Sequence, residues 1–222
     1  MTQRTAYIHA RLMDPDSGRD ERGALLVEDG IIRDLGPRLF ADGVPDGTEV
    51  IDCSGLVLAP GLVDARVLVH EPGETYKESV ASAAAAAVTG GVTSIVTLPN
   101  TNPVIDDVAL IEFMIARGAE TDLVNLYPYG ALTIGAKGEK LTEIGLLREA
   151  GAVAFTDGTR AIADPVLLRR ALSYATAFDA LIIQHPEEPA LARGGQMNEG
   201  ELATRLGLAG IPVCAEVMMI QR

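Results

Sequence analysis

The sequence contains no tryptophan, and aromatic residues make up only 4% of its 222 residues. Its hydrophobic content is nevertheless 48%, so a buried core has to be built largely from Ala, Val, Leu and Ile. This composition is typical of a parallel sheet covered by helices, and it argues against a disordered chain. The length suffices for one large domain, or for a domain with a small companion.

Basic residues are also few: 18 Lys and Arg stand against 31 Asp and Glu, which gives a formal net charge of −13. This charge favours solubility and argues against a nucleic-acid partner. The sequence has no secretion signal and no apolar run near the roughly 18 residues of a membrane span. Its two cysteines, Cys53 and Cys214, lie far apart in apolar surroundings, which favours reduced thiols. We therefore expect a cytoplasmic protein with no membrane partner.

Two patterns divide the chain near residue 57. Residues 1–57 alternate short apolar stretches with turn signals, which predicts a small β-sandwich-like module. Residues 58–222 alternate apolar strands with amphipathic helices, which indicates a parallel sheet with right-handed crossovers. The predicted strands of this part are 62–69, 93–98, 123–132, 153–155 and 180–184. Its predicted helices are 76–89, 106–117, 141–149, 165–178, 199–207 and 212–221.

A distinctive segment runs from Pro60 to Gly73 and reads Pro-Gly-Leu-Val-Asp-Ala-Arg-Val-Leu-Val-His-Glu-Pro-Gly. It resembles the first-strand signature of dihydroorotases and related cyclic amidohydrolases, Pro-Gly-x-x-Asp-x-His-x-His-x-Arg-Glu-Pro-Gly. The residues that keep this pattern are Pro60, Gly61, Asp64, Glu71, Pro72 and Gly73. Arg66 and Leu68 replace the two metal-binding histidines, and His70 replaces the substrate-binding arginine.

Motifs after the later strands fit the same resemblance. Asn100, in Leu-Pro-Asn-Thr-Asn-Pro, lies where the resemblance implies an amide that contacts the substrate carboxylate. Asp157 and His185 lie where it implies metal ligands. Taken alone, Asn100 and Asp157 are explained as turn or helix-capping residues, and His185 as a hydrogen-bonded surface residue. The run from Gly194 to Gly200, followed by Pro-x-x-x-Glu, favours bacterial dihydroorotases over dihydropyrimidinases and allantoinases.

The resemblance implies a (β/α)8 TIM-barrel fold, whereas the pattern alone is also compatible with a doubly wound sheet. A barrel typically needs about 250 residues. Residues 58–222 supply about five β/α units, so we expect an incomplete barrel, interrupted relative to a longer parent.

The chemistry of this family relies on zinc that activates a water molecule and polarises the carbonyl, and at least three protein ligands are needed to hold it. Leucine cannot ligate a metal, and arginine offers no lone pair. We therefore expect no zinc and no other cofactor. For Arg66 we expect an ion pair with Asp157 that fills the vacated volume; the alternative is a fixed cation in the place of the metal.

Three functions stay open from the sequence. The first is a non-catalytic dihydroorotase-like protein of pyrimidine biosynthesis with a structural or regulatory role, partnered by aspartate transcarbamoylase or by itself. The second is an active dihydroorotase that converts carbamoyl-aspartate to dihydroorotate, with a zinc site rebuilt from Asp157, His185 and His70. The third is a binding protein that keeps the old pocket for a small ligand similar to carbamoyl-aspartate or dihydroorotate, through Asn100 and Arg66.

Overall fold

The structure is a computed structural model that describes residues 3–222. The chain divides into two compact units, one that ends at Gly61 and one that spans Leu62–Arg222. The division falls a few residues after the predicted boundary near residue 57. The reason is that Val57–Leu58 forms a strand that pairs with the first strand of the chain.

The first unit is a single mixed sheet. Its strands are β1 (Arg4–Asp14), β2 (Arg19–Glu28), β3 (Ile31–Gly36), β4 (Glu49–Asp52) and β5 (Val57–Leu58). β2 pairs antiparallel with both β1 and β3, while β4 and β5 pair parallel with β1. Ala10, Leu12 and Cys53 form its small buried core. The predicted β module is therefore a sheet, and a sandwich-like arrangement of two sheets stays a prediction.

The second unit contains the predicted parallel sheet. Its regular strands are β6 (Leu62–Val67), β7 (Val92–Thr97) and β8 (Asn125–Pro128), which pair in this order. The order continues through single parallel bridges from Gly130 to Phe155 and from Phe155 to Ile182. Five successive segments of the chain thus lie side by side in parallel. A separate short pair consists of β9 (Met197–Asn198) and β10 (Gly210–Ile211).

Helices connect these parallel segments and follow them. They are α1 (Val80–Thr89), α2 (Val108–Thr121), α3 (Ile144–Glu149), α4 (Pro165–Thr176), α5 (Pro189–Ala192), α6 (Glu201–Leu206) and α7 (Cys214–Gln221). Side-chain caps fix several starts: Asp107 accepts a hydrogen bond from Ala109 N, and Asp164 accepts one from Val166 N ahead of Pro165. Within residues 3–222, no helix is both long and apolar enough to cross a bilayer.

The core of the second unit lies between the sheet and its helices. Phe155 is its largest fully buried side chain, and the aliphatic residues Ile95, Ile111, Leu132 and Ile144 are fully or almost fully buried around the same cluster. Gly130 allows close packing here, because a Cβ at that position would lie 2.9 Å from Cε1 of Phe155. This core therefore includes side chains of the parallel segments themselves, such as Ile95 on β7 and Phe155.

Candidate functional site

The predicted site residues follow the carboxyl ends of the parallel segments, the end that carries active sites in barrel enzymes. Arg66 lies on β6, Asn100 follows β7, and Asp157 follows the bridge at Phe155. His185 follows the bridge at Ile182. The structure brings some of these side chains together and directs others to different partners.

Arg66 does not form the expected ion pair with Asp157. Its Nη2 donates one long hydrogen bond, of 3.4 Å, to the carbonyl oxygen of Gly158. Within residues 3–222, no carboxylate oxygen lies within 4.0 Å of the Arg66 guanidinium. The prediction of that ion pair is wrong because Asp157 directs its carboxylate to other donors.

The carboxylate of Asp157 is buried, with 2% of the residue exposed. Its Oδ1 accepts a hydrogen bond of 2.8 Å from Thr133 N, and its Oδ2 accepts one from the Thr133 hydroxyl. Burial raises the pKa of Asp157 above its ordinary value, although the hydrogen bonds from Thr133 act in the opposite direction. Asp157 therefore ties the loop after β8 to the segment that contains Phe155.

The amide of Asn100 is also engaged by the protein. Its Nδ2 donates to the carbonyl oxygen of Asp157 at 3.1 Å, and its Oδ1 is buried without a hydrogen-bond partner in the structure. Gly158 lies against this amide: its φ is +67°, and a Cβ there would stand 1.6 Å from Asn100 Oδ1. Only glycine fits at position 158 beside Asn100.

His70 belongs to the loop that follows β6. Its Nδ1 lies 3.6 Å from Glu74 Oε2, and its main chain exchanges hydrogen bonds with the same loop, with N donating to Glu78 O and O accepting from Glu74 N. The replacement for the family's substrate-binding arginine is therefore packed against its own loop.

A cleft of about 340 Å³ does bring Arg66 and His185 together. Its other polar lining residues are Glu187, Asn198 and Glu216, and its apolar walls come from residues around Ile211. The Nδ1 of His185 is buried and has no hydrogen-bond partner in the structure. Asn100, Asp157 and His70 do not line this cleft.

Sequence reasoning did not select Glu187, Asn198 or Glu216 as site residues. A signal was nevertheless present, since Glu187 adjoins His185, Asn198 lies in the Gly-Gly-Gln-Met-Asn-Glu-Gly run, and Glu216 ends the Pro-x-x-x-Glu motif. Thr133 gave no such signal, because nothing local in its sequence indicates the contact with Asp157.

The family model described as Dihydro-orotase-like matches residues 55–222. The chain belongs to this dihydro-orotase-like family. The predicted resemblance is therefore confirmed, and it covers both the Pro60–Gly73 signature and the motifs that line the cleft.

Relatives with curated names agree with this assignment. The chain is 48% identical to a dihydroorotase of Pelobacter propionicus over 214 residues, which is 96% of this chain and 50% of the relative. It is 44% identical to a dihydroorotase of Wolbachia sp. subsp. Brugia malayi, over 99% of this chain and 49% of the relative. The dihydro-orotase-like chain thus spans about half the length of the curated relatives it matches.

Solved structures show the same fold. An L-hydantoinase (dihydropyrimidinase) from Arthrobacter aurescens matches all of this chain and 49% of its own, with a TM-score of 0.78 and 20% identity. A D-hydantoinase matches 86% of this chain and 41% of its own, with a TM-score of 0.65 and 23% identity. At these identities the likeness concerns the fold alone, a mixed α/β arrangement.

The donor set of this dihydro-orotase-like chain does not fit a zinc centre. Leu68 has no donor atom, Arg66 brings a fixed positive charge, and both carboxylate oxygens of Asp157 are bound by Thr133. In the part of the chain that the structure describes, no three His, Cys, Asp or Glu side chains group closely enough to hold a metal ion. The rebuilt site of Asp157, His185 and His70 is accordingly not assembled there.

Proposed function

We propose that this chain is a non-catalytic member of the dihydro-orotase-like family, with a structural or regulatory role in pyrimidine biosynthesis. One observation carries the proposal: Arg66 and Leu68 occupy the two positions at which the family signature has metal-binding histidines. Family membership supports a role in pyrimidine biosynthesis, while the residues at positions 66 and 68 argue against the hydrolase reaction.

The physical argument concerns charge and lone pairs. Closing or hydrolysing a cyclic amide requires a polarised carbonyl and an activated water, which a zinc ion supplies when three or more ligands hold it. Arginine brings a positive charge, which at position 66 would repel a divalent cation placed beside it. Because Thr133 binds both carboxylate oxygens of Asp157, this carboxylate does not pair with Arg66 and does not compensate for the repulsion.

We further infer that Leu62–Arg222 is the first part of a (β/α)8 barrel. The support is the parallel order of five successive segments and the family match over residues 55–222. As the partner of such a non-catalytic chain we propose aspartate transcarbamoylase, with self-association as the alternative. Co-purification of a tagged chain with that enzyme, together with the mass of the untagged chain in solution, tests the two partners.

Zinc binding provides the test of the non-catalytic assignment. The wild-type chain is purified, dialysed against zinc and analysed for metal, beside the double variant Arg66→His/Leu68→His. We expect the double variant to bind zinc about tenfold more tightly than the wild type or better, since two ligands are restored. A dihydroorotase assay in both directions accompanies each sample.

The wild type and the double variant have the same length, so a difference in zinc affinity between them is not explained by chain length. A full-length dihydroorotase from Pelobacter propionicus serves as the positive control for metal content and turnover. Stoichiometric zinc in the wild-type chain, together with turnover that chelation abolishes, would overturn the proposal.

A further inference from the structure

Two adjoining cavities lie on the sheet of the first unit, away from the site described above. One has a volume of about 560 Å³ and the other of about 340 Å³, and both are lined by His9 and Arg22. Arg11 lines the larger cavity and Phe40 the smaller one. Within residues 3–222, no aspartate or glutamate lines either cavity, although the chain has 31 such residues. The two cavities together, called the basic groove below, are therefore a place where this acidic protein attracts anions.

The backbone is strained at two residues of the basic groove. The φ of His9 is +59° and that of Phe40 is +67°, while the other four described non-glycine residues with positive φ are three aspartates and one alanine. Bulky residues rarely adopt this conformation, and strain of this kind clusters at ligand-binding sites. His9 lies in a β-bulge, since the register of β1 and β2 shifts between Tyr7 and Ala10, and bulges redirect side chains. Two strained ring side chains at one cavity indicate a binding site.

The charge of Arg22 is available to a ligand. Arg22 and Arg11 are register partners on β2 and β1, and like charges in directly opposite positions destabilise a sheet. Arg11 is compensated, because its Nε and Nη2 each donate a hydrogen bond of 2.6 Å to Asp20. In the part of the chain that the structure describes, no carboxylate oxygen lies within 4.0 Å of the Arg22 guanidinium. A bound anion would relieve the repulsion between the two arginines.

The ring of His9 is oriented by Asp52. Nδ1 of His9 lies 3.0 Å from Oδ1 of Asp52, which also accepts hydrogen bonds from the main-chain N and the hydroxyl of Ser54. An ionised carboxylate can only accept, so Nδ1 of the histidine carries the proton in this pair. Nε2 is the ring nitrogen that is left for a ligand.

We propose that the basic groove binds a phosphate monoester that carries an apolar body about the size of a ring. The phosphate oxygens accept hydrogen bonds from Arg22, from the free Nη1 of Arg11 and from protonated His9. A phosphate monoester carries about −1.5 to −2 charges at pH 7, which suits two facing arginines better than the single charge of a carboxylate. The apolar body lies beside Phe40 in the smaller cavity, whose other apolar walls include Pro37, Leu39 and Val44.

This inference goes beyond the non-catalytic assignment and does not depend on it. All residues of the basic groove belong to the first unit, which ends at Gly61, and none of them is a family metal-binding position. The volume of each cavity lies within the range of small-molecule sites.

Calorimetric titration of the 222-residue chain in a phosphate-free buffer tests the ligand class. The probe is phenyl phosphate, and three compounds each lack one of its features: inorganic phosphate lacks the ring, benzyl alcohol lacks the charge, and benzoate has a single charge. We expect phenyl phosphate to bind at least about tenfold more tightly than inorganic phosphate or benzyl alcohol, and more tightly than benzoate.

Variants locate the ligand. Arg22→Met should weaken phenyl phosphate binding by about ten- to a hundredfold, and His9→Asn should weaken it while keeping a residue that tolerates positive φ. Phe40→Leu should weaken the binding of phenyl phosphate and leave that of inorganic phosphate nearly unchanged. The matched control is Arg33→Met on β3, an exposed arginine that lines neither cavity; it removes the same charge and should bind as the wild type does.

Several outcomes would overturn the inference. Phenyl phosphate that binds no more tightly than benzyl alcohol shows that the groove is not an anion site, and equal binding of benzoate shows that it does not select phosphate. Equal losses in Arg22→Met and Arg33→Met show that only the net charge matters. Circular dichroism checks the fold of each variant, and Arg22→Lys, which keeps the charge and loses the fork, replaces Arg22→Met if that variant does not fold. None of these results bears on zinc binding or turnover, so the non-catalytic assignment is tested separately.

Discussion

Nε of Arg117 on α2 lies 2.7 Å from Oε1 of Glu71, in the loop that follows β6. The second carboxylate oxygen of Glu71 accepts a hydrogen bond of 2.9 Å from Val80 N at the start of α1. One buried carboxylate thus joins the loop to two helices. Glu71 belongs to the Glu-Pro-Gly part of the family signature, which is kept here although the metal-binding histidines are not.

Replacing Glu71 by alanine is therefore expected to destabilise the chain. The change leaves Val80 N without its acceptor in a buried place, and a lost partner of this kind costs about 1–3 kcal/mol. Urea denaturation followed by circular dichroism measures the free energy of unfolding. Glu74→Ala, in the same loop and more exposed, is the matched control and should leave that free energy nearly unchanged. Equal effects of the two substitutions would contradict the structural role of Glu71.

A second prediction concerns Gly158 beside Asn100. Gly158→Ala places a Cβ 1.6 Å from Asn100 Oδ1 and forces alanine to a φ of +67°. Gly138→Ala also has positive φ, +73°, but its Cβ meets open space, so it costs only the backbone term of about 1–2 kcal/mol. We expect Gly158→Ala to be clearly the more destabilising of the two in thermal unfolding.

The double variant Gly158→Ala/Asn100→Ala tests the contact itself. Removing the Asn100 amide takes away the clash, so part of the stability lost by Gly158→Ala should return. Strictly additive effects of the two substitutions would show that the clash is not the cause.

The core gives a third prediction. Phe155 is fully buried beside Gly130, so Phe155→Ala leaves a cavity and should lower the free energy of unfolding by about 3–5 kcal/mol. Phe113, which is 37% exposed on α2, offers a control of the same chemistry. Phe113→Ala should cost clearly less in the same denaturant titration. A loss of similar size at both positions would show that Phe155 is not a central core residue.

Local sequence patterns predicted most of the helices and strands of the second unit, because helix and strand formation depends largely on residues that are close in sequence. Helix α4 starts at the predicted Pro165, and the predicted helix 199–207 corresponds to α6 at Glu201–Leu206. Helix α1 starts at Val80 and not at the predicted residue 76, because Ser79 and Ser82 form a capping box there. This box has serine where the usual sequence signature has Glu or Gln, so the pattern did not reveal it.

Long-range contacts explain where prediction of the site failed. The sequence placed Arg66 on the first predicted strand and His185 after the fifth, and both line the cleft. It could not show that Thr133, which is 24 residues before Asp157 in the chain, binds both oxygens of that carboxylate. Whether the carboxylate of Asp157 contacts Arg66 or Thr133 depends on the side-chain directions in the folded chain, and no local sequence pattern encodes these directions.

The raised pKa of buried Asp157 leads to a prediction about pH. A carboxyl whose pKa is higher in the folded state than in the unfolded state binds its proton more tightly when folded, so its ionisation costs stability as pH rises through that range. The cost is present above the folded-state pKa and is relieved as pH falls towards the ordinary pKa of aspartate.

The variant Asp157→Asn keeps the shape of the side chain and removes its titration. In urea titrations from pH 7 to about pH 4, the free energy of unfolding of the wild type minus that of Asp157→Asn should therefore increase as the pH falls. Thr133→Val removes a hydrogen bond that opposes the shift, and it should make this dependence steeper. A difference that decreases on acidification would mean that Asp157 is stabilised as the ion, with its hydrogen bonds from Thr133 outweighing its burial.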